Sequence, residues 1–362
     1  MKTFNVVIVG AGPAGTACAI ELANLGVNNV LLLHQPVKKR MYAGENIAPS
    51  TRLILQSLRI WDAFLSLPKL PCHGIKSIWG NALNGFNDAI LSPYGMGWHL
   101  DRHAFDTFMI EQAVSVGTQL TLGRYVTHQQ QTDNQFEVSY YCDNTLHRLK
   151  SHILIDATGK KAHVLSHNDP ARHRSTDLVA YTHLLTKQAR GASQTVMNIE
   201  SCPYGWWYCA SLPDDKVIVS LTTLPSVAKQ LHLHQQQPFM SLLEQTQFYH
   251  AISEHYQPTG KTSSYSTPSF CRLNIVTGGM IAVGDAACSF DTITACGIAK
   301  AIETGKNAAM ALTQALQGQP HALFAYQDEI KAHYQHYLDV RKTVYQNEQR
   351  WPNAPFWKTM HG

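Results

Sequence analysis

Charge is scarce in this chain. Only 15% of its 362 residues are Asp, Glu, Lys or Arg, against roughly a quarter in an average soluble protein. The 29 Lys and Arg outweigh the 25 Asp and Glu by only +4. No basic run supplies a stripe that could track a phosphate backbone, which excludes a nucleic-acid partner. Cysteine is present but unpatterned: residues 18, 72, 142, 202, 209, 271, 288 and 296 include no C-x-x-C pair. That argues against a zinc ribbon, a thioredoxin-type site and a disulfide framework, and free thiols point to a reducing cytoplasm. No stretch approaches ~20 uninterrupted apolar residues, so neither a transmembrane helix nor a membrane partner is expected. The opening MKTFNVVIVG is broken by glycine and shows no signal-peptide cleavage pattern. The 19 histidines are scattered. His232 and His234 are not at helical i, i+4 spacing, and no metal site is expected.

What the chain does have is length, 44% apolar residues and well-placed glycine. Phe4 to Val9 is a short β-branched run that reads as a buried strand. Gly10, Gly12 and Gly15 follow at G-x-G-x-x-G spacing, with Pro13 and Ala14 between them. Ala17, Ile20, Leu22, Ala23 and Leu25 then continue as an apolar helical face. In that arrangement Gly10 makes the tight turn and Gly12 lets the backbone approach a pyrophosphate. Gly15 permits close packing of helix on strand, and the helix N-terminus offers its free N–H groups to the phosphates. A second strand, Val30 to Leu33, ends on His34 and Gln35, where an acidic residue normally meets the ribose hydroxyls. Either can still bond a hydroxyl, without the charge, so a weaker hold on the dinucleotide is expected.

A distant segment extends the argument. Ile275 to Val283 reads as a strand ending on Gly284-Asp285, and Thr294 to Ala299 opens a helix that runs through Ala308. Together with Pro13 these resemble the two FAD signatures of aromatic-hydroxylase-type flavoproteins. The resemblance implies that Asp285 binds the ribityl chain. It also implies that Cys296, Gly297 and Ile298 stand at a helix N-terminus facing the flavin pyrimidine edge, where the dipole favours the reduced anion. Gly97 to Leu100 reads as a strand leading into a helix at Asp101-Arg102. In the same flavoproteins the arginine of this pair contacts the pyrophosphate region, which suits the planar fork of Arg102. Ile153 to Gly159 is another strand ending in A-T-G, followed by Lys160 and Lys161 where hydroxylases with a bound nicotinamide show D-G-x-x-S-x-x-R. FAD is the cofactor implied. The missing pattern leaves NAD(P)H, bound transiently, or a separate flavin reductase as the electron donor, with O2 as co-substrate.

Further runs narrow the resemblance. Gly44 to Leu58, with Glu45 at its head, is similar to the G-E-x-x-P-P stretch of flavin-dependent tryptophan halogenases and their monooxygenase relatives. Ser77 to Gly80, Pro93 to Arg102 and the tail Arg350 to Trp357 resemble flavoproteins encoded beside quinoprotein amine and amino-acid oxidases. Those relatives hydroxylate a tryptophan of the oxidase precursor on the way to cysteine tryptophylquinone. The implied activity is tryptophan hydroxylation on a partner polypeptide by way of reduced flavin and a C4a-hydroperoxide. The halogenase W-x-W-x-I-P segment has no counterpart, and Lys76 lies in the right region but in a different local pattern. Glu45 is either a flavin-side, proton-handling group or a charge ahead of a helix. Trp206, Trp207 and Tyr208 either line an aromatic pocket or fill a core, and His99 reads as a packed strand histidine.

The implied fold class is α/β: a two-dinucleotide-binding-type FAD domain with an inserted antiparallel-sheet substrate domain and a C-terminal helical tail. Its boundaries are 1–70, 98–165 and 270–320 for the FAD domain, 71–97 and 166–269 for the substrate domain, and 321–362 for the tail. Residues 228–250 read as a helix interrupted at Pro238, and the aromatic tail either docks on the body or faces a partner. Three activities remain: modification of a protein, hydroxylation of a free small aromatic molecule, and a non-catalytic flavoprotein chaperone of the oxidase.

Overall fold

The structure, a computed structural model, describes residues 1–36, 45–81, 83, 85–131, 135–168, 172–188 and 195–362. Gly44, at the head of one of the resembling runs, lies outside the described residues. Two large sheets organise the chain. In the first, Thr3–Val9 lies between Val30–His34 and Thr145–Asp156, all parallel. Gln119–Leu122 and Met280–Ala282 extend the parallel set on either side. Leu31, Leu32 and Leu33 are buried because helices cover this sheet, which is why the strands read as continuous apolar runs rather than alternating ones. A hairpin of Phe136–Cys142 on the first half of Thr145–Asp156, with Arg124–Gln130 beyond it, adds antiparallel strands.

The helices Pro13–Asn24 and Gly297–Leu316 pack together against the first sheet. Ala17, Cys18, Ala19, Ile20 and Leu22 of the former are fully buried. Small side chains at most of these positions let the two helix backbones approach. The carboxyl ends of the parallel strands are held level. Gly10 N donates to Leu33 O, Ala157 N to Val9 O and Val283 N to Asp156 O, each at 2.9 Å.

The second sheet runs Cys288–Ser289, Tyr256–Arg272, Arg172–Lys187, Lys216–Thr223, Gly205–Leu212, Val196–Cys202, Gly74–Ile78 and Gly85–Asp88. Its pairings are antiparallel except that of Gly74–Ile78 with Val196–Cys202. The Pro213-Asp214-Asp215 segment turns the chain with φ of 64° at Asp214 and 56° at Asp215, a conformation Asp tolerates better than most residues. One face is covered by the short helices Pro225–Gln230, Gln236–Leu243 and Gln247–Ser253. The single interrupted helix expected here is therefore three. Pro238 falls in the first turn of the second, where no intrahelical partner awaits its missing N–H. A small third sheet, Asn46–Ile47, Gly97–Leu100 and Lys69–Cys72, packs against Gly205–Leu212 of the second sheet and against the helix Gly297–Leu316.

Helix His321–Gln346 and the terminal helix Pro355–His361 close the structure. Trp357 is fully buried, with Phe356, Tyr345 and Trp206 around it. Trp357 Nε1 donates to Cys202 O at 2.8 Å. Of the two readings of the aromatic tail, docking is the one the structure adopts. Among the described residues no helix is long and apolar enough to cross a membrane.

Candidate flavin site

The G-x-G-x-x-G turn lies on the rim formed by the carboxyl ends of the parallel strands. Gly10 has φ +112°, and a Cβ there would fall 2.2 Å from the carbonyl oxygen of Ala157. At Gly15 it would fall 2.0 Å from the oxygen of Gly10. Gly12, the N-cap of the helix, meets nothing within 4 Å among the described residues. The outer glycines are thus required by the protein's packing against itself, while the middle one leaves the helix N-terminus open to a group from outside. That is the fit a pyrophosphate needs. Pro13 begins the helix, where its missing N–H is harmless. Ala14 is gripped from the other helix: a Cβ on Gly305 would lie 2.1 Å from its carbonyl oxygen, and one on Gly284 2.7 Å from its Cβ. Gly305 had no motif to announce it.

Asp285 follows Gly284 on a single 3-10 turn beside this crossing. Lys300 Nζ stands 2.7 Å from its Oδ1, donates to the carbonyl oxygen of Cys288, and lies 4.6 Å from the Phe290 ring. Burial pushes the Asp285 carboxyl up, but Lys300 and Lys160, with Arg102 further out, hold it below the usual carboxylate value. Burial pushes the Lys160 ammonium down, opposed by Asp285 and reinforced by Lys300. The result is an ionised carboxylate flanked by two lysines. Lys300 was legible in principle: a cation in the first turn of a helix opposes the dipole and needs a local partner.

Arg102 begins helix Arg102–Ser115, capped by Asp101, whose side chain accepts from Ala104 N at 2.9 Å. Its Nη2 lies 3.2 Å from Asp106 Oδ1. Burial lowers the His34 imidazole, with Asp106 pulling it back up. Burial raises the Asp106 carboxyl against the pull of Arg102, His103 and His34. An acid therefore does stand near the end of the second strand, supplied by a helix rather than by the strand itself. Cys296 is the exposed N-cap of Gly297–Leu316, its thiol 2.9 Å from Thr294 O, and Ile298 is buried just inside.

The loop before that helix is held by the C-terminal region. The Asp291 carboxylate accepts from Ile293 N at 3.1 Å, Arg341 Nε at 3.2 Å and Tyr345 OH at 2.6 Å. Its backbone N–H donates to Tyr337 OH at 2.9 Å. Trp206 Nε1 donates to Tyr345 OH at 3.1 Å. These ties span up to 139 residues in sequence at Trp206–Tyr345, and sequence reasoning did not foresee them.

Glu45 is 2% exposed, and its backbone oxygen accepts from Leu100 N at 2.8 Å. Burial raises the Tyr208 and Tyr265 phenols, and the charge of Glu45 raises both further, so the three groups share one environment. Thr182 Oγ1 lies 3.1 Å from both Tyr265 OH and Ser220 Oγ. Next to this cluster His99 pairs with Asn46 across the small sheet and is completely buried. Asn46 Oδ1, Thr51 Oγ1, Tyr208 OH and Ser211 Oγ are buried polar atoms that have no hydrogen-bond partner among the described residues. Such a concentration marks a place where a bound molecule would pair them. Of the three aromatic residues at 206–208, Trp206 packs under the C-terminal helices and Trp207 against Phe239 at 5.1 Å, so both are core. Only Tyr208 adjoins Glu45. Among the described residues no group of His, Cys, Asp and Glu could hold a metal ion.

The arrangement defines a flavoprotein: the chain belongs to the family described as FAD binding domain, whose model matches residues 3–340. Within that family it is similar to FAD-dependent oxidoreductases and halogenases. LodB of Marinomonas mediterranea, named as an FAD-dependent oxidoreductase, is 26% identical over 377 residues, covering 100% of this chain and 98% of its own. The 1H-pyrrole-2-carbonyl peptidyl-carrier-protein brominase of Pseudoalteromonas luteoviolacea is 24% identical over 90% of this chain and 82% of its own. The same fold occurs in the myxobacterial chondrochloren halogenase CndH, with a TM-score of 0.90 and 19% identity over 99% of this chain and 86% of its own. It also occurs in QhpG, a peptidyl tryptophan dihydroxylase essential for tryptophylquinone cofactor biogenesis, with a TM-score of 0.78 and 20% identity over 99% of this chain and 79% of its own.

Proposed function

We propose that this protein is an FAD-dependent monooxygenase that hydroxylates a tryptophan side chain of a partner polypeptide, the precursor of a quinoprotein amine or amino-acid oxidase. The observation that carries the reading is that two segments resembling such flavoproteins interlock. Trp79 lies 5.6 Å from Trp357 and donates to Val344 O at 2.8 Å, while Gly80 N donates to Glu348 Oε2 at 2.9 Å. The fold shared with QhpG supports it, as does the end-to-end likeness to LodB.

In this reading Gly10, Gly12, Pro13, Ala14 and Gly15 take the pyrophosphate, with Arg102 beside it. His34 and Asp106 take the adenosine ribose. Gly284 and Asp285 take the ribityl chain, and the N–H groups at Cys296, Gly297 and Ile298 face the pyrimidine edge. FAD, when bound, supplies the reduction of oxygen and its transfer to an electron-rich ring, with NAD(P)H or a separate reductase as donor. The chain's own part is to hold the ring edge close and exclude water. Tyr208, Tyr265, Thr182 and Ser220 line the face of the second sheet that adjoins Glu45. The Glu45 carboxylate accepts the proton released when the substituted ring recovers its aromaticity. Residues 71–97 and 166–269 form the substrate side.

Co-expression of the oxidase precursor with and without this protein, followed by peptide mass spectrometry in bromide-containing medium, tests the reading. The expected result is gain of one or two oxygen atoms on a precursor tryptophan only when the flavoprotein is present. Bromine on that residue would make the protein a halogenase. An unmodified tryptophan beside NAD(P)H consumption stimulated by free indole would move the substrate to a small molecule. An unmodified tryptophan without such turnover, but with a stable complex, would leave the chaperone.

A further inference from the structure

Cys271 and Cys288 face one another directly across the antiparallel pairing of Tyr256–Arg272 with Cys288–Ser289. Arg272 N donates to Ala287 O at 3.0 Å, which makes the neighbouring 272–287 pair hydrogen-bonded and places 271–288 in the non-hydrogen-bonded register. Residues opposed in that register have Cα atoms about 4.5 Å apart, inside the range a disulfide spans. Both are buried, and both are free thiols. Cys288 stands three residues after Asp285, and its carbonyl oxygen is held by the same Lys300 ammonium that pairs with the Asp285 carboxylate.

We propose that Cys271 and Cys288 are an oxidative modification site, closed to a disulfide by hydrogen peroxide, that weakens the protein's hold on its flavin. Peroxide is what an oxygen-reducing flavin site releases whenever oxygen transfer fails, but the chemistry of the pair requires only that peroxide be supplied. The Cys271 sulfur attacks one peroxide oxygen, the O–O bond breaks, and hydroxide leaves and takes up the thiol proton as water. The resulting sulfenic acid is displaced by the Cys288 sulfur with loss of a second water. Two thiols are oxidised by two electrons and one peroxide is reduced to two waters.

The surroundings assign the order of the two sulfurs. The Cys288 thiol, then Lys331 and Lys300, hold the Cys271 thiol below its ordinary value. Burial, followed by its contact with Cys271, pushes the Cys288 thiol up. Cys271 is therefore the nucleophile and Cys288 the resolving thiol. A disulfide favours Cα atoms about 5.5–6 Å apart, wider than this register sets them, so closure presses the strand Cys288–Ser289 away from Tyr256–Arg272. It shifts the carbonyl that anchors Lys300, and with it the Asp285 pair on the flavin rim.

The experiment uses the full-length holoprotein, fully reduced, then treated with hydrogen peroxide. Remaining thiols are blocked, and peptides are mapped before and after dithiothreitol. The expected product is one peptide pair joined through 271 and 288, two hydrogens lighter than the free pair and released by dithiothreitol. The oxidised protein is expected to bind FAD about fivefold more weakly or worse in a fluorescence titration, with affinity restored by the reductant. Cys271→Ser and Cys288→Ser should each abolish the link and the affinity change, and the wild-type map stands even if a variant fails to fold. Peroxide that leaves both thiols free, or joins or over-oxidises them elsewhere, overturns the site. A 271–288 link with unchanged FAD affinity overturns its connection to the flavin.

Discussion

Acidification from neutrality to pH 4 will cost this protein stability through His99. The imidazole is completely buried. Burial lowers its pKa from 6.5 to about 4, with the Ser211 backbone opposing the fall. Between those values the unfolded chain binds a proton that the folded chain refuses. Stability is then undiminished above pH 6.5, falls as pH drops through the window, and loses nothing more below about 4. A shift of about 2.5 units at ~1.36 kcal/mol each gives about 3 kcal/mol. The comparison is urea unfolding of the wild type and of His99→Leu at pH 7 and near pH 4. All other titrating groups act alike in both proteins, so the difference of the two pH-induced losses isolates His99. The wild type should lose about 3 kcal/mol more than the variant. Equal losses would refute the argument that the ring is held neutral by burial.

Other substitutions probe the scaffold of the site. Gly305→Ala forces a Cβ to within 2.1 Å of the Ala14 oxygen, so the two rim helices must part. A stability loss of about 1–3 kcal/mol with weaker FAD binding is expected in thermal melts and flavin titrations. Tyr345→Phe removes the 2.6 Å bond to Asp291 and the acceptor for Trp206 Nε1. The Asp291 carboxylate keeps Arg341 and Ile293, but the buried Trp206 Nε1 is left unsatisfied at a cost of about 1–3 kcal/mol, readable by urea unfolding. Lys300→Met takes away the nearest cation holding Asp285 ionised. Its carboxyl should titrate higher, and FAD affinity, measured against pH, should begin to fall at a higher pH than in the wild type.

How much of this was legible in the residues depended on range. The tight turn at Gly10, the close approach at Gly15 and the cap at Asp101 are local events, and each is visible in a few consecutive residues. The second sheet's hairpins were likewise readable, because aromatic and β-branched runs flank the Asp214-Asp215 turn. The acid beside His34 was not, because Asp106 arrives from a different element and only the strand itself suggested where to look. Lys300 against Asp285, Tyr345 against Asp291 and Cys271 against Cys288 are juxtapositions set by the crossing of elements far apart in the chain. Residues 228–250 show the converse limit: one apolar pattern accommodated three short helices, because packing over Trp207 and Phe239 fixed where each ended. The aromatic triplet at 206–208 divided in the same way: adjacent strand residues point to opposite faces, which sends Trp207 to one side and Trp206 and Tyr208 to the other. Tyr208 was left by Glu45, while Trp206 and Trp207 went to separate cores.

The most direct test of the account is a single turnover on the precursor polypeptide. The FAD-loaded protein, chemically reduced under anaerobic conditions and mixed with the precursor, is exposed to isotopically labelled dioxygen. The precursor's tryptophan peptides are then weighed. Labelled oxygen on a tryptophan ring is the expected result. A precursor whose tryptophans carry no label, although the flavin has been reoxidised, would contradict it.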